Sequence, residues 1–118
     1  MVARQAERQP ADLIFAALAD ATRRDIVTRV LRGEPSVSTL ARHYDVSFAA
    51  VQKHVAVLER AGLVTKARSG REQLVSGDVT TIRAAAALLG QYEEIWRARI
   101  DRTEEILTQP MQRNAPRP

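Results

Sequence analysis

Between Ser47 and Arg60 the chain carries Phe48, Ala49, Ala50, Gln52 and Lys53, a set whose chemistry is hydrogen bonding and shape rather than bond breaking. A glutamine amide offers the paired donor and acceptor that match the N6 and N7 edge of adenine, and a lysine ammonium suits guanine O6 and N7. Ala49 and Ala50 are small enough to let a helix into a major groove about 12 Å wide and to meet thymine methyl groups there. Phe48, at the start of the segment, either touches bases or tucks against the preceding helix. Lys66, Arg68 and Arg71 follow around Ser69 and Gly70. Cations on such a turn contact phosphate or enter a minor groove, where they position more than they specify. The plainer alternatives are an ordinary surface helix and a solubilising hairpin tip.

Catalytic chemistry has no comparable footing. The 118 residues include no cysteine, which removes disulfides, thiolate metal sites and cysteine nucleophiles together. His43 and His54 fall in different segments, without a second carboxylate or cysteine at metal-ligand spacing, and read as packed, hydrogen-bonded side chains. Serines, aspartates and histidines are present, but no nucleophile elbow, phosphate-cradling glycine loop or metal-binding helix motif organises them. A chain that is not an enzyme and needs no cofactor is expected.

Charge points the same way as the candidate contacts. The net charge is +4, mild evidence of a polyanionic partner. Its placement is sharper. From Ser36 to Arg71 there are six basic residues against Asp45 and Glu59, and the rest of the chain is balanced at twelve of each sign. The whole excess therefore lies in the middle third, as expected if one surface faces phosphate and the remainder faces water; a merely solvated basic face is the competing reading.

The elements that must hold these residues are legible from periodicity. Leu13, Ile14, Ala17 and Leu18, then Ile26, Val27, Val30 and Leu31, follow helical spacing, giving two helices with a break near Asp20 to Thr22 and a stop at Gly33. A short helix from Val37 to Tyr44 is expected with Ser38 as its N-cap, and a second cap at Ser47. Val51, Val55 and Leu58 then form the apolar stripe of a helix that ends at Gly62. With that stripe inward, Ala49, Gln52, Lys53, Ala56 and Arg60 fall on or near the opposite side. Leu63 to Arg68 and Arg71 to Ser76 are β-compatible runs on either side of a Ser69-Gly70 turn. From Val79 to Leu107 no proline interrupts the helical spacing of Ile82, Ala86, Leu89, Tyr92, Trp96, Ile100, Thr103 and Leu107. A helix of that length reaches roughly 40 Å, beyond what a domain this small can cover, so its stripe is expected to pack on a second copy. Tyr92 and Trp96 could instead line an effector pocket.

These residues resemble the ArsR-type winged-helix repressors, especially the members without metal sites. The likeness runs from Leu13 to about Leu107. It is carried by Leu18 to Arg24, by Leu40-Ala41, by Val51 to Val64 and by Gly70-Arg71. Metal-sensing members carry a cysteine pair before the recognition helix, where this chain has Pro35-Ser36-Val37-Ser38-Thr39-Leu40. Others bind zinc through aspartate and histidine on the last helix, which here contains no histidine. Phe48-Ala49-Ala50 departs from the family's more usual glutamine-proline-alanine, so no operator preference carries over. The resemblance implies a dimer through the first and last helices, which puts Leu13, Ala17, Leu89, Tyr92, Trp96 and Ile100 at the interface.

The expected fold is mainly α with a small β-hairpin, a winged helix-turn-helix. Residues 1–10 form an N-terminal arm, 11–108 the DNA-binding and dimerisation domain, and 109–118 a C-terminal tail. The expected activity is metal-independent repression by a cytoplasmic homodimer on double-stranded DNA, with no membrane partner. A sensor of the same fold answering an unknown small-molecule effector is one rival. A winged helix used to bind another protein, tolerant of losing its wing cations, is the other.

Overall fold

The structure is a computed structural model that describes residues 10–113, with side chains for 10–108. Helices α1 (Pro10–Leu18), α2 (Ala21–Leu31), α3 (Val37–Ala41) and α4 (Phe48–Arg60) precede strands β1 (Val64–Ser69) and β2 (Glu72–Gly77), and helix α5 (Val79–Arg113) ends the described chain. The chain divides into two compact units, one up to Ala85 and one from Ala86 onward. The first holds the helical core and the hairpin; the second is the remainder of α5.

The break between α1 and α2 is built from side chains that answer unpaired helix ends. Asp20 N-caps α2 by accepting from the Arg23 amide at 3.0 Å, satisfying a donor that has no partner within the helix. Arg23 reaches back to donate to the carbonyls of Ala17 (2.7 Å) and Ala16 (3.3 Å), and Arg24 donates to that of Leu18 (2.8 Å). The Asp20-Ala21-Thr22-Arg23-Arg24 run therefore starts one helix and closes the one before it.

The N-cap of α3 is Ser36, not Ser38. The Ser36 hydroxyl accepts from the Thr39 amide at 3.2 Å while the Thr39 hydroxyl accepts from the Ser36 amide at 3.2 Å, a reciprocal capping box. Ser36 is fully buried and Ser38 exposed. Local propensity makes either serine an acceptable cap. The choice falls to Ser36 because it also bridges Leu74 of β2, and Val75 donates to the Pro35 carbonyl at 3.0 Å.

Ile26, Val30, Val37, Leu40, Val51, Val55, Leu58, Leu63 and Val64 form the buried core, and Val75 of β2 closes it. Leu58 and Leu63 are joined by a backbone reversal at Gly62, which has a φ of +80°. The Gly62 amide donates to Glu59 and the Leu63 amide to Leu58, so the helix end is satisfied as the chain turns into β1. A side chain there would be strained by that φ and would also meet Thr81 Oγ1 at 3.1 Å.

The antiparallel hairpin pairs Val64 with Gly77 through Ser69 with Glu72. Its two-residue turn is thus Gly70-Arg71, one position later than the Ser69-Gly70 turn expected. Gly70 has a φ of +62° and, among the described residues, no non-glycine residue has a positive one, the pattern of a type II′ turn, whose twist suits a hairpin. The boundaries also differ at both ends: α1 begins at Pro10, a favoured first helical position, and α5 continues to Arg113, five residues past the expected edge at 108. Of the arm expected over residues 1–10 and the tail expected over 109–118, residues 1–9 and 114–118 lie outside the described residues.

Candidate nucleic-acid interface

Helix α4 is held by one face and free on the other. Val51, Val55 and Leu58 are fully buried, whereas Ala49, Gln52, Lys53 and Arg60 are exposed. Ala56, expected outward, and Ala50 are half-buried. The start of the helix is fixed by Ser47, whose hydroxyl accepts from the Ala50 amide at 3.1 Å. No acidic residue occupies its first turn, so the partial positive charge of the amide end is not offset there. Among the described residues Lys53 makes no ion pair.

Phe48, expected either to touch bases or to tuck against the preceding helix, is 44% exposed. Val46, which periodicity did not mark, is also exposed. Its only signal was an apolar residue inside a turn.

The wing carries two projecting cations rather than three. Arg68 and Arg71 are exposed, Arg71 in the turn itself. Lys66 is half-buried, and its Nζ lies 3.2 Å from Glu59 Oε1 on α4. It lies opposite Val75, a core residue, so its side chain leaves the hairpin toward the helix, not toward the tip. Lys66, expected to contact phosphate, instead ties wing to helix in this structure, because its place farther from the turn than Arg68 brings its side chain within reach of Glu59.

Both histidines are engaged within the fold. His54 Nδ1 lies 3.4 Å from Arg23 Nη1; a guanidinium can only donate, so this contact uses an unprotonated Nδ1. His43 Nε2 lies 2.8 Å from Glu34 Oε1. No group of three or more potential metal ligands occurs among the described residues, and the Ser36 hydroxyl, within the stretch 35–40 where the resemblance sets the cysteine pair of metal sensors, is committed to the capping box. These residues do not fit the family's metal sites.

Of the expected dimer residues, Leu89, Tyr92, Trp96 and Ile100 are exposed along α5, and Leu13 of α1 is half-buried. Ala17 is corrected: it is fully buried in the chain's own core and has no surface to offer a partner. Exposed Ile95 and Ile106 were missed because they flank the stripe rather than lie on it.

A helix-turn-helix domain model matches residues 18–67, the segment from the end of α1 into β1. The chain is 39% identical over 85 residues to the HTH-type transcriptional regulator Rv2034 of Mycobacterium tuberculosis, covering 72% of this chain and 77% of that one. It is 26% identical over 70 residues to the transcriptional repressor SdpR of Bacillus subtilis, covering 59% and 78%. Among solved structures it is similar to an ArsR-like transcriptional regulator from Rhodococcus sp. RHA1, with a TM-score of 0.71, 32% identity, and 82% and 92% of the two chains covered. With its capped helix pair, exposed helix face and two-stranded wing, the chain belongs to the ArsR-type family of winged helix-turn-helix transcriptional regulators.

Proposed function

We propose that this protein is a metal-independent repressor that binds a pseudo-palindromic operator as a cytoplasmic homodimer. The observation that carries the reading is the outer side of α4, where Gln52, Lys53 and Arg60 stand exposed on a helix anchored by Val51, Val55 and Leu58. Arg68 and Arg71 on the hairpin supply exposed cations for the phosphate backbone. Two such helices in successive major grooves would stand about 34 to 36 Å apart. The apolar side chains exposed along α5 favour a second copy of the chain as their cover. Repression, the described role of the similar SdpR, follows by blocking polymerase. Metal independence is supported by the Ser36 hydroxyl being held in a capping box with Thr39.

The test is a gel-shift titration against the protein's own upstream DNA and a scrambled duplex, with and without chelator, at two salt concentrations. Selective binding that ignores chelator is expected. Lys53→Ala should weaken specific binding by about 1 to 3 kcal/mol, whereas Arg71→Ala should weaken all sequences alike and reduce the salt slope by about one. Loss of selectivity on chelation, or a footprint that neither substitution changes, overturns the reading.

A further inference from the structure

We infer that Val46 and Phe48 form an apolar reading head for the C5-methyl group of a pyrimidine in the major groove, with Phe48 a specificity-determining residue. The inference rests on the DNA-binding reading above and names what one part of that surface recognises. Phe48 is 44% and Val46 51% exposed, at the start of a 13-residue helix whose N-cap fixes the local backbone. Their surroundings suit a polyanion: Arg42 and Lys53 are exposed nearby in sequence, and Asp45 is the one acid between Ser36 and Ser47. Phe48 precedes Gln52 by one helical turn, so both side chains lie along the same flank of α4, between the buried stripe and the outward side of Ala49 and Lys53.

An exposed aromatic ring beside a base-reading amide needs an apolar partner that a base edge can supply. The major groove presents one such feature, the C5-methyl of thymine, set among hydrogen-bonding groups. Unmodified DNA offers it as thymine, and methylated DNA offers the same group on cytosine. Ala50 is half-buried, and the exposed Ala49 offers only a single methyl, so Phe48 presents the larger apolar surface for that contact.

The experiment begins by selecting bound duplexes from a random library with the wild-type protein. In the best duplex, each thymine of one half-site is replaced singly by deoxyuridine, which removes only the methyl; in a second arm each cytosine is replaced by 5-methylcytosine. A loss of about fourfold at one thymine, the worth of about one buried methyl-sized group, assigns the contact to thymine. A comparable gain at one cytosine assigns it to the methylated base. Phe48→Ala should abolish that difference while Phe48→Leu keeps it, and thermal melts of both variants establish that they fold. If the library enriches but no single methyl changes affinity, or if Phe48→Ala keeps the difference, the methyl assignment is overturned and DNA binding stands. If nothing enriches, both fall.

Discussion

At the scale of single residues, a polar cluster under the helix-turn-helix shows chemistry without a catalytic role. The Tyr44 hydroxyl donates to Asp25 Oδ2 at 2.5 Å, Arg29 Nε donates to the same oxygen at 2.8 Å, and the Arg29 guanidinium lies 5.9 Å from the Tyr44 ring centre. The hydrogen bond from Tyr44, then that from Arg29, holds the Asp25 carboxyl below its ordinary value, while burial and the bond to Asp25 push the Tyr44 phenol up to about 12. A phenol raised in the folded state stabilises the fold fully below its ordinary value of 10, and loses that contribution as pH climbs toward 12. Asp25 works at the opposite limit: its contribution is present above the ordinary value of 3.8 and lost as pH falls through the lower folded value. Tyr44→Phe should therefore cost about 1 kcal/mol at neutral pH. The gap to the wild type should close between pH 10 and 12, read from urea midpoints across that range; a gap independent of pH there would show that the hydroxyl does not carry it.

At the scale of elements, the fold depends on helix ends as much as on apolar stripes. α3 has only five residues, too short to stand by its own hydrogen bonds, so its cap and its strand contacts hold it in place before α4. Ser36→Ala removes the hydroxyl from a buried capping box and should lower stability by about 1 kcal/mol or more. Ser38→Ala, on the exposed side, should change the melting temperature little. Equal effects at the two serines would contradict the capping assignment. Glu59 and Lys66 illustrate the same dependence at the other end of α4, since their ion pair joins the last turn of that helix to β1. With both side chains partly exposed its worth to stability is small. Its consequence is orientation, because it keeps Lys66 off the wing's outer side.

At the scale of the whole molecule, the determining feature is the apolar surface that the single chain leaves on α5. Leu89, Tyr92, Ile95 and Trp96 are each more than half exposed, more aromatic and aliphatic area than an isolated helix in water would be expected to carry. If a second copy covers it, Trp96→Ala should shift the sedimentation profile toward monomer, and the melting temperature of the wild type should rise with protein concentration. Operator affinity of the variant should fall with the dimer, because two half-sites are then no longer read together. A variant that stays dimeric at the same concentrations would remove Trp96 from the interface.

Local rules were sufficient for the elements and for the inward stripe of α4. The spacing of Val51, Val55 and Leu58 left few alternatives for which side of that helix is buried, and with it the exposure of Gln52 and Lys53. The glycines at 62 and 70 marked the reversals that the chain makes. The charge excess between Ser36 and Arg71 was legible by counting. What the sequence could not decide were choices between locally equivalent partners. Either Ser36 or Ser38 can cap a helix; the contact with β2 selects Ser36. Either register of the hairpin turn satisfies a glycine, and the pairing of Ser69 with Glu72 selects Gly70-Arg71. Lys66 and Arg68 share one face of β1, but Lys66 lies opposite the core residue Val75 and pairs with Glu59, while Arg68 lies nearer the turn and stays exposed. Ala17 and Leu13 share one helical stripe, and only the packing of the neighbouring helices buries the first completely. In each case propensity is short-range and nearly degenerate, and a tertiary contact of modest strength is enough to break the tie.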